Sequence, residues 1–93
     1  MIELGQTVMT AGVSKHVADH TQSILPSWQV RKILTRHQSG DWGDLDDEDK
    51  AANDQAVEYG NRILSAYKLY GEKVWVITER DRSVTTLLFP SEY

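Results

Sequence analysis

The chain has 93 residues, 40% of them hydrophobic and 26% charged, which predicts one packed domain over residues 1–93 with a small core. It contains no cysteine, so disulfides, cysteine-ligated zinc and thiol catalysis are excluded for this chain. Its 14 acidic and 10 basic side chains leave a net charge of −4, unlike the basic excess of a nonspecific nucleic-acid binder.

The first 40 residues predict a short strand or irregular arm followed by two helices. Residues 13–22 carry Val and His side chains at helical spacing, and Pro26 ends any helix before it. Ser27 is predicted to cap a second helix, which ends near Gln38 ahead of a break at Gly40. The apolar positions of that helix are Trp28, Val30, Ile33 and Leu34.

The stretch RHQSGDWGDLDDED over residues 36–49 has a structural and a functional interpretation. Structurally, it begins a third helix that runs to about Tyr59 and ends at Gly60, because acidic groups in a first turn oppose the helix dipole. Functionally, it is an acidic decoy for a nucleic-acid-binding groove. The patch comprises Asp41, Asp44, Asp46, Asp47, Glu48 and Asp49, and the predicted inward stripe of the helix is Leu45, Ala52, Ala56 and Tyr59.

From Arg62 the period becomes that of strands, which predicts a three-stranded antiparallel meander. A type II′ turn at Gly71-Glu72 would pair Tyr67 with Val76, and the next turn would pair Thr78 with Thr85. Face A, predicted to pack on the helices, carries Ile63, Tyr67, Leu69, Val74, Val76, Leu87 and Phe89. Face B carries Leu64, Ala66, Tyr70, Trp75, Ile77 and Leu88.

These elements together predict an α+β fold with two or three helices followed by the meander. In one alternative an N-terminal strand extends the sheet. Face B is too apolar to be plainly solvated, so we expect the N-terminal segment, a second subunit or a partner to cover it.

Four stretches carry a resemblance to a known family: RHQSGDWGDLDDEDKAAND, RILSAYKL, VWVITERDRSVTTLLFP and the closing SEY. They resemble a family of short bacterial proteins labelled plasmid-related protein, over roughly residues 33–93. Some members of that family are labelled type I restriction enzyme M subunit. A methyltransferase needs a glycine-rich cofactor-binding turn in a much larger α/β domain, so we expect neither that activity nor a cofactor here.

The leading functional hypothesis is a non-enzymatic accessory or interaction protein of a plasmid or other mobile element. It would bind a protein partner, and we expect a homodimer. The predicted contact residues are Tyr70, Trp75, Ile77 and Leu88, with the acidic patch setting specificity.

The alternative is a metal-independent ribonuclease with a barnase-like or RelE-like layout, the one hypothesis that involves nucleic acid. His37 would exchange the proton, Arg80 and Arg82 would hold the phosphate, and hydroxyls such as that of Thr85 would stabilise the transition state. Ser65 and Thr78 would lie beside them. Arginines are also common in turns and threonines in strands, so the set has a purely structural interpretation as well.

Other candidate sites are weaker. His16 and His20 lie four apart, as in a helical metal pair, but the sequence shows no third ligand, so no metal site is predicted. Trp42 is expected to fold back onto the core. No apolar run reaches the roughly 20 residues of a membrane span, and the N-terminus lacks signal-peptide features. We therefore expect a cytoplasmic protein without membrane contact.

Overall fold

A computed structural model describes residues 2–21 and 27–93 of the chain. The predicted end of the first helix at residue 22 and its stop at Pro26 lie outside these residues. None of the described helices is long and apolar enough to cross a membrane. The elements in chain order are β1 Gln6–Met9, α1 Ala11–Thr21, α2 Trp28–Gln38, α3 Asp47–Tyr59, β2 Ile63–Leu69, β3 Glu72–Thr78, β4 Val84–Leu88 and a 3₁₀ turn, Pro90–Glu92.

The sheet has four strands in the order β1-β4-β3-β2 and is mixed. The predicted meander is present, because β2, β3 and β4 are antiparallel neighbours. The alternative with an added N-terminal strand is the one observed, and the antiparallel sheet is corrected to a mixed one, since β1 lies parallel to β4 with Thr7 opposite Thr85. The α+β class is confirmed, and β1 gives β4 a partner on its otherwise open side.

Local sequence signals set the helix ends as predicted. Ser27 Oγ accepts a hydrogen bond from the Val30 amide (3.4 Å) at the start of α2. Asp46 Oδ1 accepts one from the Asp49 amide (2.8 Å) at the start of α3. Gly60 ends α3 with a φ of 74°, a left-handed conformation that glycine adopts without a Cβ clash.

The first hairpin has a different register from the predicted one. Tyr67 pairs with Val74 rather than Val76, because the turn residues are Tyr70 and Gly71 rather than Gly71 and Glu72. Both turn residues have positive φ, 47° and 83°, the combination that a type I′ turn requires. The shift is two residues, so the assignment of side chains to the faces survives. The second predicted pairing, Thr78 with Thr85, is confirmed.

The core lies between face A and helices α1 and α2, where Val13 and Ile33 pack on strand residues. A second cluster at the β2 end of the sheet joins Trp42, Ala56 and Ile63. Three predicted inward positions are wrong, because Trp28 is 65% exposed, Tyr59 is 71% exposed and Ala52 is exposed as well. On α3 the buried positions are Ala56, as predicted, and Asn53, because this helix lies along the edge of β2 and turns Asn53 toward it.

Candidate functional site

The edge of strand β2 is covered by the loop before α3. Ala66 N donates to Trp42 O (3.2 Å), and Asp44 N donates to Ala66 O (2.7 Å). Gly43 lies between them with a φ of 74°, and a Cβ there would lie 1.9 Å from the Ala66 oxygen. Glycine is therefore required at this position, and the first part of the acidic patch is fixed against the sheet rather than free in solvent.

Two further contacts continue this cover. Asn53 Nδ2 donates to Leu64 O (2.6 Å), and Leu64 N donates to Asn53 Oδ1 (3.3 Å). The indole of Trp42 is 4% exposed and donates to Asp54 Oδ1 (2.9 Å). Trp42 thus folds onto the core as expected. An edge strand whose polar groups are bonded in this way is protected from pairing with another chain.

A groove of about 540 Å³ opens beside this edge, between the first half of α3 and face B. One wall carries the carboxylates of Asp44, Asp46 and Asp49, and the opposite wall carries Trp75 with Leu64. Lys73 supplies one ammonium group, so three carboxylates outnumber it and the groove is net negative. The remaining lining residues are Leu45, Ala52 and Asn53. We call this the acidic groove.

The six carboxylates of the predicted acidic patch have different roles. Asp41 forms an ion pair with Arg36 (2.7 Å), and this hydrogen bond lowers the pKa of the Asp41 carboxyl. Asp46 caps α3. Asp47 and Glu48 are exposed in the first turn of α3 and do not line the groove. Of the six carboxylates, only those of Asp44, Asp46 and Asp49 therefore line the groove together with the face B side chains.

The four predicted interface residues are not on one open surface. Trp75 is half-buried, and its ring meets that of Tyr93 at a centroid distance of 5.6 Å. Ile77 is 3% exposed and Leu88 is 7% exposed, so the chain itself covers them and neither is available to a partner. Tyr70 lies in the turn with a φ of 47°, where strand alternation no longer applies, and its hydroxyl bonds to Ser27 Oγ (2.7 Å) on the helix side.

His37 is fully buried in a chain of hydrogen bonds whose direction is fixed from one end. Thr85 Oγ1 donates to Leu4 O (2.7 Å), so Thr78 Oγ1 must donate to Thr85 Oγ1 (2.8 Å). His37 Nε2 must then donate to Thr78 (2.8 Å), and His37 Nδ1 accepts from Ser65 Oγ (2.5 Å). Burial, with a smaller contribution from the positive charge of Arg82, lowers the pKa of His37 to about 4. The ring is therefore neutral at pH 7.

The residues of the ribonuclease hypothesis do not form an open cleft. His37 and Thr85 have no exposed surface, so neither can reach a phosphate in this structure. Arg82 donates to the carbonyls of Asn61 (2.7 Å) and Glu79 (3.0 Å), which uses its guanidinium to hold the end of α3 against the turn. Arg80 is exposed on the same turn. A general base must lie within hydrogen-bond reach of its substrate, and His37 does not.

The histidine pair of α1 packs on aromatic rings. His20 stacks on Tyr70 at 5.2 Å, and His16 meets Phe89 edge-on at 5.6 Å. The Nε2 of His16 donates to Leu69 O (2.8 Å), which ties α1 to the first hairpin. Among residues 2–21 and 27–93, no group of three or more His, Cys, Asp or Glu side chains is arranged to hold a metal ion.

Sequence reasoning missed Leu64, Lys73 and Asn53 as parts of the groove. Leu64 belongs to the predicted face B, but its position beside the acidic segment depends on the packing of α3 along β2. An asparagine among alanines, four residues after Asp49 and so on the same side of α3, was the available signal for Asn53. Comparison of the chain with family models, with curated proteins and with solved structures found no match.

Proposed function

We propose that this protein is a non-enzymatic interaction module that binds a basic segment of a partner protein in the acidic groove. The carrying observation is that Trp75 and the carboxylates of Asp44 and Asp49 line one groove. A lysine or arginine side chain uses both kinds of wall. Its charged end pairs with the carboxylates, and its apolar stem or guanidinium plane packs on the indole.

The charge distribution supports a basic occupant. The exposed carboxylates of Asp47 and Glu48 lie just outside the groove and add to its negative potential. This potential attracts a cationic segment at long range and repels nucleic acid and acidic proteins. This proposal limits the acidic decoy interpretation of the sequence to one groove, in which the partner binds, rather than a whole charged surface.

A different protein is a better occupant than a second copy of this chain. Of the four residues expected at a homodimer contact, Ile77 and Leu88 are covered and Tyr70 packs on the helix side. The remaining face B surface near Trp75 is small, whereas a stable interface buries roughly 800 Å² on each partner. We therefore expect a monomer in light scattering at micromolar concentration, and a stable dimer would contradict this part of the proposal.

The test is fluorescence anisotropy with a labelled peptide of alternating arginine and serine residues, and with a glutamate-serine peptide of equal length. We expect the arginine peptide alone to bind, more weakly as salt rises. In the triple variant Asp44→Asn/Asp46→Asn/Asp49→Asn the affinity should fall about tenfold, because three exposed ion pairs are removed. Asparagine caps a helix as well as aspartate does, so α3 should keep its start.

The matched control neutralises three exposed carboxylates outside the groove, in Glu3→Gln/Asp19→Asn/Glu58→Gln. An equal loss of affinity in the control would show that the peptide senses only net charge, and the proposal would fail. Trp75→Leu keeps an apolar side chain against Tyr93 but removes the aromatic face, and we expect roughly threefold weaker binding of the arginine peptide. Unchanged binding in Trp75→Leu would remove the indole from the site.

A further inference from the structure

A second groove, positively charged, lies between α2 and the edge strand β2. Its volume is about 190 Å³, and its lining residues are Trp28, Gln29, Lys32, Ile33, Arg36 and Lys68. Trp28, Lys32 and Arg36 follow one another at spacings of four, so they share one side of the helix. Lys68 comes from the neighbouring edge strand β2. We call this the α2 groove.

The charges of the α2 groove are mostly uncompensated. Neither Lys32 nor Lys68 forms an ion pair with any residue of 2–21 or 27–93. Arg36 is paired with Asp41 and lies over the ring of Tyr67 at 4.8 Å. It therefore lines the groove, but its charge is compensated. Within the described part of the chain, no carboxylate lines this groove. The chain is acidic as a whole, yet this surface is cationic.

Trp28 is the most exposed tryptophan of the three, with 65% of its surface accessible. The Lys32 ammonium lies 6.0 Å from the centre of its ring. A large aromatic side chain left open to water at the start of a helix adds little to the core. Its flat face, beside two free ammonium groups, is a surface for a ligand that is both aromatic and anionic.

We propose that the α2 groove binds single-stranded nucleic acid, with one base stacked on Trp28 and the flanking phosphates held by Lys32 and Lys68. An unpaired base offers a π face to the indole, and the backbone offers phosphates at its sides. An acidic peptide would use only the ammonium groups, and a duplex keeps its bases stacked inside. The neighbouring acidic groove repels the phosphates, which favours their placement at Lys32 and Lys68. This site does not depend on the function proposed for the acidic groove.

The binding experiment uses labelled oligothymidylate and oligouridylate of about 12 nucleotides, measured by anisotropy at about 50 mM salt. Both should bind, because base face and phosphate are common to DNA and RNA. Trp28→Ala should weaken binding at least about fivefold, the lower limit for removal of one base–aromatic stack. Lys32→Ala/Lys68→Ala should weaken binding. It should also reduce the slope of log affinity against log salt concentration by about 1.4, which is about 0.7 for each phosphate that no longer has a lysine beside it.

The matched control removes two exposed basic side chains elsewhere, in Lys15→Ala/Arg80→Ala. The start of β3 lies near Trp28, because the Tyr70 amide just before it bonds to Gln29 on α2. Arg80 follows the other end of β3 and is therefore remote from Trp28. The control should bind like the wild type, and circular dichroism should show all variants folded. The proposal is overturned if Trp28→Ala binds as tightly as the wild type, if the control loses as much affinity as the lysine variant, or if polyglutamate or duplex DNA competes equally well. It is also overturned if neither oligonucleotide binds.

Discussion

The Nε2 atom of His37 donates a hydrogen bond of 2.8 Å to Oγ1 of Thr78, 41 positions further along the chain. This contact joins helix α2 to strand β3 inside the core. The donors from His37 to Leu4 are fixed, so Nε2 carries a proton, and burial lowers the pKa of the ring to about 4, which leaves Nδ1 as an acceptor for Ser65 Oγ. His37 is therefore a structural residue whose protonation state is coupled to folding.

The pH dependence of stability should report this coupling. The pKa of His37 is about 4 in the folded chain and about 6.5 when unfolded, so the unfolded chain takes up a proton first as the pH falls. The free energy of unfolding should decrease between pH 6.5 and pH 4, by roughly 3 kcal/mol in total, and the loss should level off below pH 4. Urea unfolding followed by circular dichroism at several pH values measures it.

His37→Gln supplies the control for this measurement, because glutamine does not titrate but both donates and accepts hydrogen bonds. Carboxyl groups such as those of Asp41 and Asp81, whose pKa values are lowered by hydrogen bonds, titrate in both proteins and cancel in the difference. The wild type should lose more stability than the variant as the pH falls to 4. Parallel curves for the two proteins would mean that His37 does not carry the effect.

Replacing Thr78 by valine should break the network without changing the shape of the side chain. The Nε2–H of His37 would be left without an acceptor in a region closed to water, and Thr85 Oγ1 would keep its bond to Leu4 O but lose the donor from Thr78. We expect a loss of about 1–3 kcal/mol in the free energy of unfolding. Thr86→Val is the matched change on face B, and it should alter stability by less than about 0.5 kcal/mol. Equal effects in the two variants would contradict the network.

Gly43→Ala tests the cover of the β2 edge. A methyl group would overlap the Ala66 oxygen, and the strained segment would lose the backbone hydrogen bonds on both sides of it. We expect a loss of about 3 kcal/mol or more in the free energy of unfolding. Gly60 has the same φ of 74° with nothing within 4 Å of the added Cβ, so Gly60→Ala should cost only about 1 kcal/mol of backbone strain. Similar losses in both variants would show that the overlap with the Ala66 oxygen adds nothing to the cost of the substitution at Gly43.

Asn53→Ala should uncover the edge strand at Leu64. Two side-chain hydrogen bonds are removed, with an expected cost of about 1–3 kcal/mol, and the freed groups become available to other chains. Urea unfolding should show the lower stability, and light scattering during warming should show earlier aggregation. Gln55→Ala changes an exposed position of the same helix and should leave both measurements near those of the wild type.

Features that depend on neighbouring residues were predictable from the sequence. The caps Ser27, Asp46 and Gly60 act within one turn of their own helices, and strand alternation assigned Trp75 and Leu64 to the same face. The first hairpin was predicted two residues out of register, because Tyr70 adopts a positive φ that is uncommon for a side chain of its size. Neither propensity nor periodicity contains that information.

The sequence by itself determined the helices, the antiparallel meander and the position of the acidic run, because each depends on hydrogen bonds and side-chain spacings within a few residues. Only the tertiary structure decided that β1 joins β4 in parallel, that His37 is sealed among Ser65 and Thr78, and that three carboxylates meet Trp75 in one groove. These contacts join residues from 26 to 81 positions apart, as in the bonds from Tyr67 to Asp41 and from Thr85 to Leu4. Such pairs are selected by the packing and the hydrogen bonding of the whole core, which no local pattern encodes.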